Sequence, residues 1–187
     1  MSNYLNTNVL LENYKNLYRS KYFIDKSLII DSLNQLLNTS DKYVCITRPR
    51  RFGKSSIASM IGAYYSKAVK SKEIFDNLKI SSSESYIENL NKYNVISISF
   101  NEIPDNMKSY DDYINMIRTQ LIRDITEKYT HIKADRYFNI SSMLMDTQEK
   151  FIFIFDEWDY IFNNNLFEEN QNDFLEFLRN LLKDQPY

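Results

Sequence analysis

Two short runs, far apart in the chain, contain the residue types that phosphate chemistry requires. The first, Gly53-Lys54-Ser55, joins an apolar segment with strand character to a segment with helical periodicity. A helix N-terminus directs backbone N–H groups and the positive end of the helix dipole at an anion. A lysine there reaches the β- and γ-phosphates, and a hydroxyl holds Mg²⁺. The run therefore predicts a phosphate-binding loop of the Walker A kind, although Arg48 stands where that pattern has its first glycine.

The second run, Asp156-Glu157, follows the apolar segment 151–155 and has Walker B character. A phosphate loop needs a carboxylate to hold the metal and a group to orient the attacking water. We therefore predict that Asp156 holds Mg²⁺ and that Glu157 acts as the general base. Asp159 is either a further acid or a helix N-cap, and the N-cap is favoured.

The competing interpretation of the first run, Gly53-Lys54-Ser55, is an ordinary strand-to-helix turn with a solvated lysine.

Other candidate residues near these runs have simpler explanations. Arg48, Arg50 and Arg51 add positive charge before the glycine, but they also fit a basic surface loop or pairing with a nearby acid. The single cysteine, Cys45, lies in an apolar run and is expected in the core. The single histidine, His131, follows a polar helix end and is expected in solvent.

Hydrophobic periodicity predicts the elements that position these residues. Apolar, β-branched runs predict buried strands, and apolar residues at helical spacing predict helices. Strands that alternate with helices predict a mainly parallel α/β sheet with helices on both faces. The predicted strands are 43–47, 95–100 and 151–155, and the predicted helices are 26–38, 57–68, 110–125 and 174–182.

Composition limits the class of protein. The 187 residues fit one domain, and the net charge of −2 offers no general attraction to nucleic acid or to an anionic membrane. One cysteine excludes an intramolecular disulfide. No apolar run approaches membrane-spanning length and the N-terminus lacks a secretory signal, so a soluble cytoplasmic protein is expected.

Three segments together resemble a known family: 22–30 (YFIDKSLII), 47–55 (TRPRRFGKS) and 154–159 (IFDEWD). They are similar to the AAA-ATPase-like family, whose P-loop ATPase domain often precedes a PD-(D/E)XK nuclease-like domain. The resemblance covers about residues 22–187 and accounts for Arg48 in the glycine position. The family more often has Tyr where Trp158 stands.

The resemblance implies a fold and a domain layout. The fold is a three-layer P-loop NTPase of the AAA type, in the additional-strand class. The layout is an N-terminal lead-in over 1–20, followed by an incomplete ATPase domain over 21–187. The strand that would supply a polar sensor residue, and the helical lid after it, are expected to be absent, so the domain is expected to be truncated at its C-terminus.

The resemblance also implies a set of nucleotide and metal residues. Asp25 belongs to an Asp-Lys-Ser element that is expected near the adenosine. Lys54 and Glu157 are the expected catalytic residues, and Ser55 and Asp156 the expected Mg²⁺ ligands. The expected nucleotide-binding residues are Asp25, Arg50, Arg51, Phe52, Gly53, Lys54, Ser55 and Ser56.

The function expected from these implications is Mg²⁺-dependent ATP binding with weak hydrolysis. Two alternatives stay open: a nucleotide-regulated binding or scaffold module without turnover, and an inactive fragment. Nucleic acid is not supported as a partner of this chain alone. A homo-oligomer is left open, and the candidates for an arginine finger are unranked: Arg50, Arg118, Arg123, Arg136 and Arg179.

Overall fold

The structure is a computed structural model that describes residues 2–47, 49, 51–105, 107 and 109–182. Its α-helices and strands are those of an α/β protein: five α-helices precede the first strand of the described chain, two separate it from the second strand, and two follow. They are α1 Val9–Tyr18, α2 Ile29–Leu36, α3 Lys54–Tyr65, α4 Lys72–Phe75, α5 Tyr86–Asn89, β1 Asn94–Ser99, α6 Tyr110–Lys128, α7 Ile140–Asp146, β2 Phe151–Asp156, α8 Tyr160–Asn163 and α9 Gln171–Leu182.

The chain divides into two compact units. The loop unit comprises residues 6–97 and 150–154. Among the described residues, the acid unit comprises those within 2–5, 98–149 and 155–182. The candidate phosphate loop therefore belongs to the loop unit, and the acid pair belongs to the acid unit.

Strands β1 and β2 pair with each other. The Asn94 N–H donates to the Lys150 carbonyl at 3.1 Å, and the Phe100 N–H donates to the Asp156 carbonyl at 3.0 Å. Residue numbers rise together along both strands, so the pair is parallel. The strand predictions at 95–100 and 151–155 are confirmed, and Asp156 is the last residue of β2.

The predicted buried strand at 43–47 is wrong. Residues 43–47 have no strand assignment, and the Tyr43 and Val44 side chains are 59% and 48% exposed. Val44 through Thr47 make no backbone hydrogen bond to any residue that the structure describes. An apolar run becomes a strand only where another strand satisfies its N–H and C=O groups. Cys45 is exposed for the same reason, so its predicted place in the core is also wrong.

Helix α3 is the central element of the loop unit. The helix predicted after Gly53 is confirmed from Lys54 to Tyr65, and most of its length is buried. Its Tyr64 ring packs edge-on against Phe75 at 5.3 Å, and Phe75 stacks on Tyr14 of α1 at 5.4 Å. Aromatic pairs at these distances add to the stability that burial provides. The C-terminal end of α3 is therefore well packed, which holds in place the helix whose N-terminus follows Gly53.

A buried polar network also links α2 to α3. The Tyr65 hydroxyl donates to Asn34 Oδ1 at 2.7 Å, and Asn34 Nδ2 donates to the Tyr64 hydroxyl at 3.3 Å. The Tyr64 hydroxyl in turn donates to the Tyr86 carbonyl at 2.7 Å. Because each of these buried groups has a partner, the hydrogen bonds offset the cost of removing the groups from water, and the network orders the core.

In the acid unit, the predicted helices at 110–125 and 174–182 are confirmed as α6 and α9. The ring of Phe100, which follows β1, packs edge-on against Phe155 of β2 at 5.4 Å and Phe174 of α9 at 5.3 Å. These contacts hold the end of β2, where the acid pair begins. None of the helices in the described part of the chain has the length and apolar character needed to cross a bilayer.

Candidate functional site

The candidate phosphate loop ends in a left-handed glycine at the start of a helix. Gly53 has φ +83° and directly precedes Lys54, the first residue of α3. Glycine adopts this conformation without the steric cost that a Cβ would bring. The Ile57 N–H donates to the Gly53 carbonyl at 3.0 Å, whereas the N–H groups of the first helical turn have no acceptor within the helix. This junction has the local form that an anion site at a helix N-terminus requires.

The residues before Gly53 form a tight turn. The Phe52 N–H donates to the Pro49 carbonyl at 3.3 Å, and Arg51 is left-handed at φ +69°. The Phe52 ring is 63% exposed, and the Arg51 side chain is exposed as well. The loop therefore presents a cation and an aromatic ring to solvent beside the helix N-terminus. Arg48 and Arg50 lie outside the described residues.

Ser55 and Ser56 lie in the first turn of α3. Ser55 is exposed, so its hydroxyl is accessible to a ligand, and Ser56 is half-buried. The Ser56 Oγ lies 3.9 Å from the position that a Cβ on Gly53 would occupy. Both serines thus lie at the end of the helix to which an anion would bind.

Asp25 has a structural role. Its Oδ1 accepts the Ser27 N–H and its Oδ2 accepts the Lys79 N–H, each at 2.8 Å. Burial alone would raise the pKa of the Asp25 carboxyl, but hydrogen bonds from Ser27 and Lys79 outweigh it and hold the pKa below its ordinary value. Asp25 therefore ties its turn to the segment around Lys79, and its contact with adenosine stays a prediction.

Sequence reasoning missed one residue of this region, Lys26. Its Nζ lies 3.6 Å from the position that a Cβ on Gly53 would occupy. The sequence signal that could have identified Lys26 is the pair of residues on either side of it, Asp25 and Ser27. Aspartate and serine often bond nearby backbone N–H groups, which fixes the turn and leaves the side chain between them to point elsewhere.

The acid pair lies where β2 ends. The Asp156 carbonyl still accepts a strand hydrogen bond, while its Oδ1 accepts the Glu157 N–H at 3.1 Å. Glu157 leaves the strand in a left-handed conformation at φ +51°, which is uncommon for a residue with a side chain. Both acids are half-buried. Their placement at the carboxyl end of a strand agrees with the prediction, and their roles stay predictions.

The residues after the acid pair start a short helix. Asp159 directly precedes α8, as predicted for an N-cap, but its Oδ2 accepts the Asn163 side-chain amide at 2.9 Å and no N–H of the first turn. The Trp158 ring packs edge-on against Phe162 at 6.1 Å. Trp158 therefore contacts the helix that follows the acid pair.

The donor chemistry fits a magnesium ion that is shared with phosphate. No group of three or more histidine, cysteine, aspartate or glutamate side chains suited to a metal occurs among the described residues. Mg²⁺ in phosphate chemistry usually takes one or two protein oxygens and keeps water and phosphate as its other ligands. The Ser55 hydroxyl and the Asp156 carboxylate are oxygen donors of that kind.

Comparison with known proteins identifies one family. The family model described as Predicted AAA-ATPase matches residues 9–185, a range that includes both the candidate phosphate loop and the acid pair. No curated protein and no solved structure matches the chain.

Proposed function

The chain belongs to the predicted AAA-ATPase family, and from this premise we propose that it is an ATP-binding domain that requires Mg²⁺ and hydrolyses ATP weakly. Family membership supports an ATPase-like, nucleotide-binding domain in general terms. The observation that carries the finer proposal is the left-handed Gly53 immediately before Lys54 and Ser55 at the N-terminus of α3.

In this proposal the loop unit binds the phosphates. The N–H groups of the first turn of α3 donate to phosphate oxygens, and the helix dipole favours their negative charge. The Lys54 ammonium binds the β- and γ-phosphates, and the Ser55 hydroxyl is a ligand of Mg²⁺. Arg51, Phe52 and Ser56 border the same helix N-terminus and complete the surface that faces the nucleotide.

The acid pair serves hydrolysis. When bound, Mg²⁺ neutralises charge on the phosphates and orients them for attack. Asp156 supplies a carboxylate oxygen to the ion. Glu157 accepts a proton from the attacking water and so raises its nucleophilicity. Both roles are proposed from the position of the pair at the end of β2 and from the family match.

Calorimetric titration of the purified chain with MgATP tests the proposal. We expect wild type to bind and Lys54→Ala to weaken binding about 10- to 100-fold, the loss expected when a charged hydrogen bond to phosphate is removed. Equally poor binding by both proteins would refute the proposal. Lys70→Gln is a matched control, because Lys70 is exposed and has no partner among the described residues.

Steady-state release of inorganic phosphate then separates an ATPase from a nucleotide-regulated module. Slow release by wild type that requires Mg²⁺ supports hydrolysis. ATP binding without release would favour a regulated binding or scaffold module instead.

A further inference from the structure

The Asp25–Ser27 turn is held to the rest of the loop unit from both ends. Asp25 accepts the Lys79 N–H at 2.8 Å, and the Ser27 Oγ accepts the Ile80 N–H at 3.1 Å. Ser27 is completely buried. Asp25 and Ser27 each accept one backbone N–H group of the segment at Lys79 and Ile80. The backbone of Lys26, which lies between them, is therefore tightly positioned.

The Lys26 side chain reaches the phosphate loop from that turn. Its Nζ lies 3.6 Å from the position that a Cβ on Gly53 would occupy, so the ammonium lies beside the residue that immediately precedes α3. Gly53 and Lys26 are far apart in the sequence, so only the fold brings them together.

The electrostatics of this position call for an anion. The N-terminus of a helix carries about half a positive charge, and a cation beside it is unfavourable. The Lys26 side chain is exposed and makes no hydrogen bond or ion pair with any residue that the structure describes. The exposed Arg51 adds a further positive charge to the loop before Gly53. A bound polyphosphate would turn this repulsion into attraction.

We propose that Lys26 is a second phosphate-binding lysine of the nucleotide site, which contacts the phosphate oxygens of a nucleoside di- or triphosphate held at Gly53–Ser55. This inference rests on the proposed function, because it assumes that the loop binds a nucleotide. Within the Asp-Lys-Ser element, Asp25 and Ser27 then fix the turn, and Lys26 binds the ligand.

Calorimetric titration of the full chain with MgADP tests this role through four variants. Lys26→Gln is expected to weaken binding about 10-fold, as for the loss of one charge-assisted hydrogen bond to phosphate. Lys26→Arg keeps the charge and is expected to bind nearly as well as wild type. Lys70→Gln removes a charge elsewhere in the loop unit and should change nothing, and Lys54→Ala reports on the site itself.

The outcomes separate the two proposals. If Lys54→Ala weakens binding while Lys26→Gln matches Lys70→Gln, the role of Lys26 is refuted and the nucleotide site stands. If wild type does not bind MgADP, the proposed function fails, and the role of Lys26 fails with it.

A second measurement on the wild-type chain avoids any effect of the variants on folding. Trace acetylation of lysines, read by mass spectrometry, should slow at Lys26 in saturating MgADP and stay constant at Lys70. Equal acetylation of Lys26 with and without MgADP would refute the contact, whatever the variants do.

Discussion

Leu10 of α1 lies so close to Gly62 of α3 that no side chain fits between them. A Cβ on Gly62 would lie 2.1 Å from Leu10 Cδ1 and 3.0 Å from Leu10 Cβ. The leucine can rotate its Cδ1 away, but its Cβ is fixed to the backbone of α1. Gly62 therefore sets how closely α1 approaches the helix that follows the candidate phosphate loop.

We expect Gly62→Ala to destabilise the protein by about 1–3 kcal/mol, the usual cost of overpacking a core. This loss should exceed the gain of up to about 1 kcal/mol that alanine brings to a helix interior. Chemical denaturation measures the change in the free energy of unfolding. In the Leu10→Ala background the same substitution should cost less, because Cγ and Cδ1 are gone. Equal costs in both backgrounds would contradict the proposed clash.

The depressed pKa of Asp25 predicts a pH dependence of stability. The carboxyl has an ordinary value of 3.8, and the folded protein holds it lower. The ionised carboxylate therefore stabilises the folded state. This contribution to the free energy of unfolding is fully present well above the ordinary pKa and is lost as the pH falls through the folded pKa. Asp25→Asn should lower the free energy of unfolding near neutral pH by about 1 kcal/mol or less, since the carboxylate is only partly buried.

The difference between wild type and Asp25→Asn should shrink between about pH 5 and pH 3. Denaturation curves measured across that range follow it directly. Glu84→Gln, at an exposed site without partners among the described residues, serves as the control. A difference that stays constant down to pH 3 would mean that Asp25 does not stabilise the turn through its charge.

Asp124 of α6 fastens the N-terminal segment of the acid unit. Asp124 is 2% exposed, and its carboxylate accepts the N–H groups of Asn3, Tyr4 and Leu5, with Oδ2 at 2.7–3.0 Å from all three. In Asp124→Asn an amide donor replaces one acceptor, so we expect a loss of about 1–3 kcal/mol. Hydrogen exchange at the three amides should become faster. Asp135→Asn, at an exposed site of the acid unit without partners among the described residues, should leave both quantities unchanged; a similar response from the two variants would contradict the role of Asp124.

Glu157 combines a proposed chemical role with an unfavourable backbone conformation. A left-handed residue with a side chain costs about 1–2 kcal/mol, so Glu157→Gly should leave the free energy of unfolding unchanged or raise it by up to about 1 kcal/mol. Asp159→Gly, at φ −85°, should lower the free energy of unfolding instead.

Glu157→Gln should keep the stability and the ATP affinity of wild type while phosphate release falls. Equal release from Glu157→Gln and wild type would exclude Glu157 as the base.

Part of the architecture was predictable because it depends on local patterns. The start of α3 follows from a glycine next to a stretch with helical periodicity, and β1 and β2 follow from apolar β-branched runs. The same type of pattern failed at 43–47, because a strand also needs a neighbour that accepts its hydrogen bonds. The apolar run carries no information about whether that neighbour is present.

The sequence by itself determined the family and identified the candidate phosphate loop and the acid pair, since each depends on neighbouring residues in a recognisable order. Only the tertiary structure decided that Lys26 lies beside Gly53, that Leu10 closes over Gly62 and that Asp124 binds three amides near the N-terminus. These relationships join residues that are distant in sequence. Packing and long-range hydrogen bonds bring them together, and no local pattern of residue types encodes which distant groups will meet.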